Sequence, residues 1–313
     1  MMNRLLPILR RIVQLAPVLL GISLICFLLL RAAPGDPARL LVGEKAGEAA
    51  LAAVRQRYGL DLPIFQQYFV YLSNLVVGDL GQSLRFQRPV TTIIAQFLPA
   101  TAFLIAYVLV LVIPPTLVLA IAAARRPNGW ADQLIRFLGV VGITVPVFWL
   151  GIMMSRLFGL QLGWFPVSGY GEGFVGHLHH LFLPALSTAI WLVPVLTQNL
   201  RSALIEKFQS DFVTAVRAQG ATERGIFWQH VLPNSVLPTL NLLGVMVAYL
   251  IGGTVIVETV YAVPGLGQLL VNSLLGRDYY LVQGLTLLFA VGSVLVTLVV
   301  DIVSALIDPR VSL

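Results

Sequence analysis

The sequence predicts an all-α membrane protein with six transmembrane helices. Three observations lead there. Hydrophobic residues make up 58% of the 313 positions, and the mean hydropathy is +0.89. Charged residues reach only 11%, against about 25% in an average soluble domain. Such a chain has no polar skin for a water-soluble fold, which excludes an ordinary soluble enzyme and a disordered chain. Finally, six stretches meet the requirement of roughly 20 mostly apolar residues per crossing: 12–30, 98–122, 135–158, 181–200, 235–257 and 283–307.

Each element has its own justification. The first run follows Arg4, Arg10 and Arg11. Its apolar stretch exceeds the 7–15 residues or so of a signal-peptide core, and Ala32-Ala33-Pro34 is a poor cleavage site, so 1–31 reads as a tail and a retained span. Residues 32–96 read as a folded external segment with short helices. Tyr58, Leu62, Phe65, Phe69 and Leu72 recur at helical spacing, and Pro34-Gly35-Asp36-Pro37 and Gly78-Asp79-Leu80-Gly81 mark turns. Residues 97–307 form a core of five spans, and 308–313 a tail. The fourth span is short, with Pro184, Pro194, Gln198 and Asn199 near its ends; neighbouring helices make such prolines tolerable.

Lys and Arg in the short loops set the orientation. Arg4, Arg10 and Arg11, then Arg125 and Arg126, then Arg201, Lys207, Arg217 and Arg224, and finally Arg310 all fall on one side. The short loops of the other side hold only Arg277, and the long 32–96 segment is nearly balanced. Both termini are therefore expected in the cytoplasm. The net charge of +6 is then an orientation signal, and no nucleic-acid partner is needed to explain it. Cys26 is the only cysteine, so the chain has no internal disulfide.

The loop 201–234 is the most informative stretch. Ser210 or Asp211 can cap a helix whose apolar side is Phe212, Val213 and Val216, and Gly220 is a natural left-handed stop. Thr222 can cap a second helix from Glu223 to Val231, ended by Pro233. This pattern fits a rigid element presenting an apolar ridge to a partner's groove. It equally fits an amphipathic helix lying among lipid headgroups.

The residues also carry a resemblance. Asp211-Phe212-Val213, Ala215, Arg217-Ala218, Gly220-Ala221, Glu223-Arg224, His230 and Leu232-Pro233 resemble the cytoplasmic loop of ABC importer permeases. The position usually written Glu-Ala-Ala in that family reads Thr214-Ala215-Val216 here. Arg57-Tyr58-Gly59-Leu60-Asp61, Gly78-Asp79-Leu80-Gly81 with Ser83, Pro89-Val90, Leu98-Pro99-Ala100-Thr101 and Pro146-Val147-Phe148-Trp149-Leu150-Gly151 resemble its dipeptide/oligopeptide/nickel subfamily. So do Gly163-Trp164-Phe165-Pro166, Glu258-Thr259-Val260-Tyr261, Pro264-Gly265-Leu266-Gly267, Arg277-Asp278-Tyr279 and Asp308-Pro309-Arg310. The long 32–96 segment resembles the B-type subunit.

This resemblance implies the type I ABC importer permease fold in the bacterial inner membrane. The implied partners are a second homologous permease, two cytoplasmic ABC ATPases that hold ATP and Mg, an external binding protein and membrane lipids. It implies that Asp211, Phe212, Val213, Ala215, Val216, Arg217, Gly220, Ala221, Thr222 and Glu223 couple this chain to the ATPases. Di/oligopeptides are the implied cargo, with nickel, a metal–opine chelate or glutathione as the alternatives. An ion-coupled secondary transporter, which would need intramembrane acid–base relays, and a passive channel are the competing classes.

Glu258, with Tyr261, Pro264 and Gly265, is a candidate for the pathway or its gate, because a charge within or beside a span is costly unless paired or wetted. Its alternative role is to mark the external end of span five and cap the turn that follows. Asp301 reads as locally paired. His177, His179 and His180 read as a solvated external loop and not as a metal site. Gly169-Tyr170-Gly171-Glu172-Gly173 lacks the Lys-Ser/Thr ending of a phosphate-binding loop. No catalytic constellation and no cofactor site is expected in this chain.

Overall fold

The computed structural model describes residues 16–28, 39, 47–57 and 61–307. Arg4, Arg10, Arg11, Pro34-Gly35-Asp36-Pro37, Tyr58 and Asp308-Pro309-Arg310 lie outside the described residues. In chain order the helices are α1 (Ala16–Leu28), α2 (Glu48–Arg57), α3 (Ile64–Val76), α4 (Val90–Arg125), α5 (Trp130–Thr144) and α6 (Val147–Met154). There follow α7 (Gly173–Phe208), α8 (Asp211–Ala218), α9 (Glu223–Gly225), α10 (Leu232–Val260), α11 (Leu266–Leu275) and α12 (Tyr279–Ile307). Wider π-helical turns extend α6 through Ser155–Gln161 and join α9 to α10 through Ile226–Val231.

Four helices are long and apolar enough to cross a bilayer among the described residues: Val90–Arg125, Gly173–Phe208, Glu223–Val260 and Tyr279–Ser304. Three expectations need correcting. The third span is not one rod, because Asp132–Thr144 and Val147–Gln161 meet at 96°. Pro146 is the cause: it forces Val145 into extended backbone, with ψ 122°. The fourth span begins at Gly173, so the three histidines sit on a helix and not in a loop. Pro233 does not end a helix either. It falls at the start of α10, where an N–H is least needed, directly after the widened turn. As for the first span, 12–15, 29 and 30 lie outside the described residues, and α1 is its described part.

The chain forms two compact units. The first runs to Pro99 and includes Gly265–Val294. Its core joins Val90, Ile93 and Ile94 of α4 to Leu266 and Leu269 of α11 and Leu281 and Leu285 of α12. Asp278 organises it from the N-cap of α12. Its buried carboxylate accepts the Leu281 N–H at 3.4 Å, the Leu84 and Arg85 N–H groups at 3.2 Å each, and the Ser83 hydroxyl. Gly81, at φ +83°, lies so close to the Tyr280 ring that a Cβ there would stand 2.9 Å from it. The Gly78–Ser83 and Arg277–Tyr279 motifs, far apart in sequence, are thus two halves of one tie.

The second unit spans Ala100–Pro264 and continues from Leu295. Leu104, Val108 and Val112 of α4 pack with Leu181, Leu192 and Leu196 of α7 and Leu250 and Val257 of α10. Gly142 lets α5 approach α7, since its Cβ would meet the Pro194 ring at 3.2 Å and the Ile190 carbonyl at 3.1 Å. That carbonyl is the one Pro194 leaves without its helical N–H partner. At the other end of this helix pair Asp132 is wholly buried. It binds Arg201 of α7 through two oxygens, one bond being 2.7 Å long. It also holds Arg136 at 2.5 Å and the Asn128 N–H at 2.8 Å.

Candidate functional site

The loop after α7 folds into a helix, a glycine turn and a second helix. Ser210 takes the N-cap position of α8 in extended backbone, yet its hydroxyl donates back to the Lys207 carbonyl at 2.5 Å. Asp211 supplies the favourable negative charge in the first turn. Gly220 stops the helix at φ +88°, as its spacing predicts. Thr222 caps α9, its Oγ1 accepting the Gly225 N–H at 3.2 Å. A two-bond ion pair closes the turn: Arg217 Nε to Glu223 Oε1 at 2.6 Å and Nη2 to Oε2 at 3.2 Å. The hydrogen-bonded Glu223 carboxylate raises the Arg217 pKa above its ordinary value.

The packing of α8 corrects its expected ridge. Val213 is fully buried in a cluster with Ala120, Ala124, Leu200, Leu204, Ile226 and Val231, and Val216 packs against it. These two valines weld the loop to its own helices. Phe212 is 38% exposed, and Asp211, Ala215, Arg217, Gly220, Ala221, Thr222 and Glu223 face outward with it. Phe208 and Phe227 stack beneath the turn with centroids 6.0 Å apart. The sequence offers Phe212, Val213 and Val216 as one apolar arc, and nothing in their spacing says which flank turns in.

Replacing Gly220 by alanine isolates the turn. A Cβ there meets nothing within 4 Å, so only the left-handed backbone is penalised, by about 1–2 kcal/mol. The Gly220→Ala protein should retain its fold in circular dichroism and show faster amide exchange over 219–223. Unchanged exchange would mean the turn tolerates a side chain.

The other candidates sit at the far end of α10. Glu258 is fully buried, with Thr101 Oγ1 donating to its Oε1 at 2.7 Å and its carbonyl accepting the Val263 N–H at 2.9 Å. Tyr261, buried as well, donates its hydroxyl to the Gly151 carbonyl at 3.0 Å, and its own carbonyl accepts the Gly169 N–H at 3.0 Å. Two of the resemblance motifs meet there, the Pro146–Gly151 helix and the Glu258–Tyr261 run, and Gly169 joins them from the segment after Gly163–Pro166. Pro264 is exposed, and Gly265 is buried at the N-cap of α11.

Each histidine of the cluster meets a backbone carbonyl: His177 that of Tyr170 at 2.9 Å, His179 that of Trp164 at 3.0 Å and His180 that of Gly176 at 3.0 Å. Asp132 is the residue that sequence reading missed. Its one signal is the pattern of a carboxylate between Asn128 and Arg136, a helical turn from each.

Comparison with known proteins places this arrangement. Residues 116–313 match the family described as binding-protein-dependent transport system inner membrane component. Residues 2–105 match the N-terminal region of such components. A putative peptide transport system permease protein of Brucella suis biovar 1 is 36% identical over 307 residues, covering 97% of this chain and 98% of that protein. The oligopeptide transport system permease protein AppB of Bacillus subtilis is 34% identical over 310 residues, with the same coverage. The glutathione transport system permease protein GsiC of Salmonella typhimurium is 36% identical over 305 residues, again covering 97% and 98%. Among solved structures, the inward-facing MetNI methionine ABC transporter shares the fold with a TM-score of 0.53 at 16% identity, over 69% of this chain and 96% of that one. The chain belongs to the inner-membrane permease components of binding-protein-dependent ABC importers.

Proposed function

We propose that this permease forms, with a second homologous permease, the passage through which a binding protein delivers short peptides, and that the α8–Gly220–α9 element couples it to two cytoplasmic ATPases. The carrying observation is the construction of that element. It is fixed inward by Val213 and Val216, closed by Arg217–Glu223, and continuous through Glu223–Val260 with a long apolar helix. A push on the exposed face of α8 is thereby handed to a spanning helix without a flexible joint, which suits the rocking of rigid elements in alternating access. ATP and Mg reside on the ATPases, and this chain contributes no hydrolytic group. The buried Glu258–Tyr261 junction, with Pro264 and Gly265 after it, is our candidate for the gate at the other end of the same helix.

The relatives' names support peptides as cargo. Glutathione, itself a tripeptide, falls within that class, whereas nickel and metal–opine chelates draw no support from these relatives. Family membership also separates the chain from ion-coupled secondary transporters.

Phe212→Asp combined with Ala215→Asp alters the exposed face of α8 and leaves Val213 untouched. In proteoliposomes holding the complete transporter, uptake of a labelled tripeptide should fall at least tenfold while the bundle remains folded. Uptake at the normal rate with the ATPases bound would overturn the coupling role. No uptake of labelled di- or tripeptides by the unaltered transporter with its binding protein would overturn the cargo.

A further inference from the structure

We infer that α3 is not a solvent-borne part of an external loop but an interfacial helix embedded in the bilayer alongside α1, with lipid acyl chains covering one flank. The segment Leu62–Gly78 contains no charged residue. Its expected apolar stripe does not point into the protein: Phe65 is 77% exposed, Phe69 68% and Val76 87%, with half-buried Leu72 on the same flank. These residues recur at i, i+4, i+7 and i+11, so they form one line along the helix.

The inward face is the more polar one. Gln67 is buried, its amide donating to the Leu62 carbonyl at 2.6 Å. Tyr68 places its hydroxyl 2.9 Å from the Ser23 hydroxyl and 3.1 Å from the Leu20 carbonyl of α1. Phe27 of α1 packs between Tyr68 and Tyr71, with ring centroids 5.4 and 5.8 Å away. Polar side chains inside and large apolar ones outside invert the order that water imposes, and lipid is the solvent that permits it.

Position makes lipid the occupant. The partner helix α1, the described part of the expected first span, exposes Val18, Leu20, Leu24, Ile25 and Leu28, and Tyr68 of α3 is hydrogen-bonded to its Leu20 and Ser23. The apolar flank of α3 continues that surface. A third flank carries Gln66, Ser73 and Asn74 beside Val70 and Val77, all exposed and uncharged, a mixed surface suited to the headgroup region. Apolar, mixed and protein-facing flanks together describe a helix lying in the interface.

The test uses the complete transporter in liposomes, in a Cys26→Ser background. Phe69→Cys, Val76→Cys and Asn74→Cys are each labelled with bimane and exposed to phospholipid carrying a doxyl group on its acyl chain. Quenching at positions 69 and 76 should exceed that at 74 at least threefold. A membrane-impermeant maleimide should modify Asn74→Cys at least tenfold faster than Phe69→Cys. Equal reactivity at 69 and 74 would mean water covers the flank. Slow reaction at 69 and 76 without doxyl quenching would mean a protein partner covers it. Either result overturns the inference, and neither bears on peptide uptake.

Discussion

Asp132→Ala should destabilise this permease by about 3–5 kcal/mol, the usual cost of stranding the partner of a buried ion pair. The change leaves Arg201, which is 14% exposed, facing Arg136 with no anion between them. It also frees the Asn128 N–H, whose residue is held at φ +64°. The loss is readable as monodisperse protein surviving a heating series in detergent. Arg201→Ala alone should cost less, because Asp132 keeps Arg136 and Asn128. The double variant should cost less than the two losses summed, since the second change removes a charge already stranded. Strict additivity, or a loss below about 1 kcal/mol, would show that the pair behaves as an exposed one.

Asp278→Ala should have an effect of similar size in the other unit, about 3 kcal/mol or more. One part is the lost N-cap of α12. The larger part is the set of donors left behind: the Ser83 hydroxyl and the Leu84 and Arg85 N–H groups, which point at this carboxylate from nearly 200 positions away. The Leu84 and Arg85 amides should exchange with solvent far faster in the variant, while the amides of α8 should be unchanged. Asp278→Asn keeps an acceptor and should recover part of the stability. Exchange at Leu84 and Arg85 equal to that of the parent would show that Ser83–Arg85 is held by something else.

The sequence shows its elements unevenly, for physical reasons. The long apolar runs were plain because lipid demands unbroken hydrophobicity, and α4, α7, α10 and α12 follow them. Gly220 and Thr222 were plain too, since a left-handed stop and a hydroxyl cap are local devices that tolerate few residue types. The 96° bend at Pro146 was less visible, because a proline in a membrane helix is compatible with either a gentle kink or a full break. The inward turn of Val213 was hidden, because an eight-residue helix with three apolar residues has two usable faces and tertiary packing chooses between them. Asp132 was hidden for a related reason. Its partner Arg201 is 69 residues away, and no local pattern reports that distance. The stripe of α3 is visible in the sequence, but helical spacing tells where a face is and not which solvent it meets.

The ion pairs also bear on how the chain reaches the membrane. Arg201, near the end of α7, and Arg217 are among the basic residues expected from the sequence to orient the spans, an effect in which acidic residues count for little. In the finished fold Arg201 is bound to Asp132 and Arg217 to Glu223, so each serves locally as one half of an ion pair. If the expected orientation holds, the same guanidinium groups serve twice, first as a signpost during synthesis and then as a fastening. Asp132 and Glu223 should consequently be replaceable without inverting the chain, even where their replacement weakens the finished protein.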